Sequence, residues 1–511
     1  MSPSDNIVII GGGIGGLFTG AMLAREGLRV TVLEKNTTIG GGLQTFVRDG
    51  MEFETGMHIL GGLRQGGTVH KICSWLGILD DIKLLDHDHD CMDQITYLSD
   101  GKTYRIPEGR DAFVAYFASL FPSQATAVRE YVDTLYSLAN EVDHFYLRPS
   151  GNHFKEHSAL FTIAVGELIE RYISDPKLRD ILAYMNPMVG GLKDRMPAYI
   201  FALINVLYIN GPSRFAGGSL QMATALARVI ETAGGQVLTD KEVTGIEVDE
   251  NRMARAVTTA DGNRYEAQTV VSAIHPARLV SLLPAGALPK VYCRRLLSLP
   301  NTVSAFIVYI KFKPDTFPYI NHTCYYQDDY GMVWQHYDYD PDRWPQGFMY
   351  MTPADAQQGS YATKMVVNCL MPFSEVERWS DTRVEHRGDD YRQWKHEHQQ
   401  RVLERMERLV PGFSQMVDKV WTSSPLTIRD FYNQPDGALY GIRRDCDNLL
   451  ATQIPIWTKV RNLLLTGQNI NLHGICGVPL TAIQTAEAVL GEQNRIIKKI
   501  NNHYNQLYGK N

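Results

Sequence analysis

Hydrophobic residues follow two rhythms along the chain, and the changes of rhythm mark its organisation. Ile7-Val8-Ile9-Ile10 is apolar without alternation, which suits a strand covered on both faces of a parallel sheet. Residues 15–26 switch to helical spacing, with Leu17, Ala21 and Ala24 on one face, Phe18 and Met22 beside them, and Gly27 as the stop. A second strand follows from Arg29 to Leu33. From Gly109 to Asn210 the period is helical again, with segments near 111–121, 124–147, 158–173, 176–184 and 197–210, after an earlier helix at 68–79. Pro122, Pro149-Ser150-Gly151, Asp175-Pro176 and Met196-Pro197 part these segments. Strands are expected at 94–98 and 102–106 across an Asp100-Gly101 turn, then at 236–238, 243–248 and 269–273. Further strands are expected at 301–312, 331–337, 347–352 and 363–371, ahead of a charged helix from about Asp390 to Val410. Leu463-Leu464-Leu465 and a helix from about Thr481 to Val489 close the pattern.

The glycines explain what the first strand and helix are for. Gly11, Gly13 and Gly16 stand in the G-x-G-x-x-G register: the first makes a tight turn, the second admits a pyrophosphate to the backbone, and the third lets helix and strand pack closely. The helix start offers unpaired N–H groups to phosphates. Glu34 ends the second strand, where an acid accepts hydrogen bonds from a ribose. The motif alone does not choose between NAD and FAD. Gly40-Gly41-Gly42 follows almost at once, and side-chain-free backbone just past the ribose acid suits a cofactor whose pyrophosphate runs on into a ribityl chain and a flavin ring. FAD is the better fit. A second glycine-spaced segment, Thr466-Gly467-Gln468-Asn469 then Gly474 to Leu480, again places bare N–H groups beside a ligand at a helix start.

Glu34, the glycine triplet, Thr45-Phe46 and the run Gly50-Met51-Glu52-Phe53-Glu54-Thr55-Gly56-Met57-His58 resemble the N-terminal signature of the phytoene desaturase and carotenoid isomerase superfamily, within it most closely the retinol saturase-like branch. The resemblance is specific over the first sixty residues and again near the C-terminus, and loose between. It implies that the C-terminal segment carries the ribityl and isoalloxazine contacts and that Val243 sets its backbone against the adenine. Asn469 departs from the acidic residue usual just after Gly-Gln or Gly-Asp in the resembling family. The expected cofactor contacts are Gly11, Gly13, Ile14, Gly15, Gly16, Glu34, Lys35, Gly41, Gly42, Leu43, Met57, His58, Val243, Gly467, Gln468, Gly477 and Val478.

Composition narrows the partners. With 44% apolar and 21% charged residues and a formal net charge of −6, nothing points to nucleic acid. Seven scattered cysteines without a C-x-x-C argue for a reducing compartment and a cytoplasmic location. The first apolar run is the dinucleotide strand rather than a secretory signal, and Tyr199 to Ile209 is too short to span a bilayer. Asp86-His87-Asp88-His89-Asp90-Cys91 has metal-ligand residues but no second ligand pair at a recognisable spacing, so a polar strand edge is the preferred reading and no metal is expected.

The expected fold is α/β: an FAD-binding Rossmann-type parallel-sheet domain of the glutathione reductase or amine oxidase kind, with an inserted α+β substrate domain. Residues 1–108, 213–290 and 425–511 fall to the cofactor domain, and 109–212 with 291–424 to the substrate domain and its helical cap. The implied activity is FAD-dependent saturation or desaturation of a carbon–carbon bond in a long apolar polyene or isoprenoid. A flavin amine oxidase is the alternative within enzymes, and a non-catalytic isoprenoid escort protein the alternative outside them. Saturation needs a proton as well as a hydride, and His58 and His473 are the catalytic candidates, with His275 and Tyr337 behind them. An apolar substrate also suggests peripheral membrane contact, for which Tyr199-Ile200-Phe201-Ala202-Leu203-Ile204 and the basic run Arg495-Ile496-Ile497-Lys498-Lys499 are the candidate surfaces.

Overall fold

The computed structural model describes residues 6–151 and 156–509. The strand Asn6–Ile10 lies at the middle of a five-stranded parallel sheet. Its neighbours are Arg29–Leu33 and Gln236–Leu238 on one side and Thr269–Ser272 and Leu463–Leu465 on the other. Chain segments far apart in sequence therefore meet in one sheet, and Val8, Ile9, Val270 and Val271 are fully enclosed. The helix Ile14–Arg25 packs against Gly474–Leu490 and Leu220–Thr232, and Thr19 Oγ1 meets Thr466 Oγ1 at 2.9 Å in their midst. An antiparallel meander, Val243–Val248, Ala254–Thr259 and Arg264–Glu266, stands beside this layer.

A seven-stranded sheet forms the second body of the fold, in the order Val417–Ser423, Ser304–Phe312, Lys364–Met371, Gly347–Met351, Thr323–Gln327, Asp93–Tyr97, Thr103–Ile106. Its pairs are antiparallel except for the parallel join of Thr323–Gln327 to Asp93–Tyr97. The hairpin at 93–106, which the sequence groups with the cofactor segments, is thus tied by its backbone to this larger sheet. One face packs Phe306 against Trp344 and against Trp394 of the helix Asp389–Leu409, with the Phe306 ring 5.6 Å from Trp344 and 5.8 Å from Trp394. The other face carries Ala305, Ile307, Tyr309 and Val366.

Several elements depart from the sequence pattern. The strand expected at 331–337 is a tight turn at Met332–Trp334, because Gly331 takes φ +92° and its N–H donates to Asp180 Oδ1 at 2.7 Å, lifting the chain off the sheet. The helix expected over 124–147 is Ala125–Asn140 followed by a short turn, and the one expected from 158 starts only at Val165, where Ala164 bridges to Pro197. Strands Thr323–Gln327 and Val417–Ser423 lie where no strand is expected.

The helix Ala198–Ile209 is apolar on every side, and a helix of that kind is an interior one. Tyr199, Ile200, Phe201, Ala202 and Leu203 are buried, and the Gly61 backbone lies so close that an added Cβ would come within 2.2 Å of Leu207 Cγ. The candidate membrane segment is therefore internal. The basic run is engaged as well: Arg495 and Lys499 both pair with the buried carboxylate of Glu26, at 2.7 and 2.6 Å. Among the described residues no single helix is long and apolar enough to cross a membrane, and all seven cysteines are unpaired.

Asp93 shows how the larger sheet depends on pH. Its carboxyl is enclosed and accepts the Tyr184 hydroxyl at 2.8 Å, and burial, against the opposing pull of hydrogen bonds from Tyr184 and Thr323, pushes its pKa up to about 7. The unfolded group ionises near 3.8 while the folded one stays neutral, so folding stability falls as pH rises from about 4 to about 7. Asp93→Asn keeps an acceptor for Tyr184 and removes that loss. Urea unfolding at pH 5 and pH 8 should show the variant gaining on wild type at pH 8 by up to about 4 kcal/mol and matching it far more nearly at pH 5.

Candidate functional site

The expected cofactor residues come together by backbone contact. Gly11 turns the chain at φ +102° while its N–H donates to Leu33 O at 2.8 Å. A Cβ on Gly16 would stand 2.0 Å from Gly11 O, so this glycine is what lets the helix Ile14–Arg25 start directly over the strand. A Cβ on Gly15 would stand 2.8 Å from Gly467 Cα, which locks the first glycine turn to the C-terminal one. Gly40 N–H donates to Gly12 O at 2.8 Å and brings the triplet alongside. Gly13 is different: the nearest atom to an added Cβ is Gly41 Cα at 3.8 Å, and at Gly42 nothing stands within 4 Å. Both border open space.

That space is one cavity of about 520 Å³. At one end are Glu34, Lys35, Lys241, Val243 and Arg278. In the middle are Gly11, Gly13, Ile14, Gly15, Gly41, Gly42, Leu43, Met57, His58, Gly467, Gln468, Gly477 and Val478. Of the expected contacts only Gly16 stands back from it, acting through Gly11. Glu34 is fixed by two backbone donors, Gly12 N–H to Oε2 and Asn36 N–H to Oε1, each at 2.8 Å. Burial raises its pKa while those donors and Lys35 pull the other way. Each carboxylate oxygen keeps a lone pair for a ribose hydroxyl. The helix Gly474–Leu490 starts at the wall with no side chain capping it, leaving N–H groups at the cavity as the anionic and electron-rich parts of a flavin nucleotide require. It begins well before the expected Thr481 and carries Pro479 inside. The residues therefore fit FAD along its length.

The far end of the cavity is apolar: Phe145, Met188, Ile200, Leu203, Ile204 and Leu207 line it, with Ile307 and Met349 from the larger sheet. Sequence spacing does not single these residues out, since the helix carrying half of them is apolar all round. It also misses Tyr432, which ends the helix Pro425–Tyr432, and Asn433, Gln434 and Tyr440 after it, all in the wall.

The two candidate histidines both line the cavity, and their pKa values are shifted in opposite directions. His58 Nε2 lies 2.9 Å from Gly42 O, and Nδ1 lies 3.4 Å from Glu54 Oε2. Both ring nitrogens face acceptors, which favours the doubly protonated ring. Burial opposes that charge, but the Glu54 carboxylate and the Gly42 carbonyl outweigh it and raise the pKa. His473 is instead held neutral, its pKa pushed down to about 4 by burial, with Nε2 donating to Met188 O at 3.1 Å and the ring against Tyr440. His275 and Tyr337 lie outside the cavity lining. His275 Nδ1 accepts from Ala277 N–H at 3.1 Å to start a helix, and the Tyr337 hydroxyl joins Gly190 O and Val303 N–H. The run Asp86–Cys91 is bound up in its own contacts: His87 lies between Met92 O at 2.9 Å and Arg214 Nη2 at 3.0 Å, and His89 meets Glu108 at 2.5 Å.

The two kinds of glycine give a paired prediction. Gly13→Val projects into open space and should leave a folded protein with less than a tenth of the wild-type flavin content. Gly16→Ala collides with backbone and should lower thermal stability as well. Absorbance at the flavin band and circular dichroism check both, and a fully loaded Gly13→Val would exclude a phosphate at this turn.

Known proteins place the chain. The model of the family described as flavin containing amine oxidoreductase matches residues 14–490. All-trans-retinol 13,14-reductase of Macaca fascicularis is 26% identical, covering 95% of this chain and 85% of its own. Prolycopene isomerase 2 of an Oncidium hybrid cultivar is 25% identical, over 95% and 84%. Putrescine oxidase bound to putrescine superposes with a TM-score of 0.65 at 16% identity, over 96% of this chain and 99% of that one, which establishes the fold. The chain belongs to the flavin containing amine oxidoreductase family, and the FAD read from its glycines is its cofactor.

Proposed function

We propose that this protein is an FAD-dependent oxidoreductase that saturates or desaturates a carbon–carbon bond in a long apolar polyene or isoprenoid. The observation that carries the reading is the continuity of the cavity, which passes from the glycine-lined half straight into a half walled by aliphatic side chains. The names of two relatives, a retinol reductase and a prolycopene isomerase, point to substrates of the same kind. Bound FAD supplies hydride exchange with a carbon atom.

The chain's own residues do the rest. Phe145, Ile200, Leu203, Ile204 and Leu207 exclude water and hold an extended apolar chain. His58, its pKa raised by Glu54 behind it, is the more readily protonated of the two at the cavity wall, while His473 stays neutral and shapes the wall beside Tyr440. His58 is thus the group of the two that supplies positive charge or a proton near neutral pH.

The test separates all three readings. Flavin reduced anaerobically with dithionite should be reoxidised by one equivalent of a conjugated polyene, or oxidised flavin bleached by the matching saturated substrate. An escort protein would bind the polyene with no change in the flavin spectrum. Bleaching by primary amines, with none by isoprenoids, would replace this reading with an amine oxidase.

A further inference from the structure

Behind the flavin-binding wall stands a cation with no anion. The Arg444 guanidinium donates from Nη1 to Thr452 O and from Nη2 to three successive carbonyls, Asn469 O, Ile470 O and Asn471 O, at 3.2, 2.8 and 3.0 Å. No carboxylate among the described residues pairs with it: burial lowers its pKa, and the Tyr199 hydroxyl is the one group pulling the other way. An arginine keeps its charge even so. Neutral donors would satisfy the same carbonyls at a smaller desolvation cost, so the charge itself is what the site retains.

The three carbonyls belong to the turn that joins the glycine segment Gly467-Gln468 to the helix Gly474–Leu490. Their peptide bonds are trans, so the N–H groups of Ile470, Asn471 and Leu472 are turned away from Arg444. Ile470 N–H donates to Gly467 O at 3.2 Å, and the other two find no acceptor among the described residues. Gln468, Leu472 and His473 border both the main cavity and a smaller space that Arg444 lines, so one layer of residues parts the guanidinium from the flavin site. The charge reaches that layer, since it adds to the burial that keeps His473 neutral.

We infer that Arg444 is a positioning residue for the flavin: it holds the turn with its N–H groups toward the ring, and its unpaired positive charge favours the reduced ring over the oxidised one. Hydride addition, two electrons and one proton, leaves the ring with one more negative charge than before. A fixed cation in a site of low dielectric stabilises that form selectively. The reduction potential of bound FAD is therefore higher than it would be with a neutral residue in place of Arg444. The inference rests on the FAD assignment alone and holds whichever substrate the apolar half takes.

The experiment measures the reduction potential of the FAD-loaded protein against reference dyes, with the affinity for oxidised FAD alongside. Arg444→Gln keeps an amide donor and removes the charge. It should cut the preference for reduced over oxidised FAD about tenfold, a fall of about 30 mV for a two-electron couple. Arg444→Lys keeps the charge with fewer well-placed donors, so it should bind FAD more weakly while holding the wild-type potential. A wild-type potential in Arg444→Gln, with or without weaker binding, would mean that the residue only braces the turn and overturns the inference, as would an equal fall in Arg444→Lys. Should Arg444→Gln not fold, wild type still decides: its reduced flavin should be anionic at about pH 6, where free reduced flavin is mostly neutral, and a neutral reduced ring there overturns the inference. None of these results touches the substrate reading, which reoxidation by the polyene tests.

Discussion

Backbone packed on backbone, with no side chain between, is the constraint on which the site depends. Gly16 over Gly11 O and Gly15 against Gly467 bring two glycine turns, more than four hundred residues apart in sequence, into direct contact. Only side-chain-free residues allow it, and the contact sets where both helix starts point. The same turns leave Gly13 and Gly42 bare toward the cavity, so close packing on one side and openness on the other come from one short stretch. Glu34 completes the arrangement, its two oxygens oriented by the N–H groups of Gly12 and Asn36 before any ligand arrives.

The second half of the cavity is made by elements that the first half does not need. Helix Ala198–Ile209 and the inner face of the seven-stranded sheet enclose an apolar space directly against the glycine-lined one. Charge inside is sparse and local. Glu54 lies 3.4 Å from His58 at the wall, and its carboxylate, with the Gly42 carbonyl, outweighs the burial that opposes protonation and raises the histidine's pKa. His473 is held neutral by burial, which pushes its pKa down to about 4, with the nearby Arg444 charge acting in the same direction.

Much of this was legible from residue order, and the rest was not for physical reasons. The cofactor half could be read because glycine spacing, a two-faced apolar strand and a strand-ending acid each have a local cause. Every contact expected there except Gly16 borders the cavity. The strand expected at 331–337 failed because one long-range bond, Gly331 to Asp180, decides that turn. Thr323–Gln327 escaped because Thr-Cys-Tyr-Tyr-Gln, enclosed on both faces, has no alternation to detect. The apolar run at 199–204 could equally be surface or core, and only the close approach of Gly61 and the cavity walls assign it to the interior.

The central claim is that one continuous cavity seats FAD in its glycine-lined half and an apolar chain in the other. A crystal structure of the protein with FAD and an unreactive polyene analogue tests it most directly. The account predicts the adenosine end at Glu34, the flavin ring between the Gly42–His58 and Gly467–Gly477 segments, and the analogue along Leu203, Ile204 and Leu207. An analogue bound outside that cavity, or a flavin ring turned out toward solvent, would contradict it.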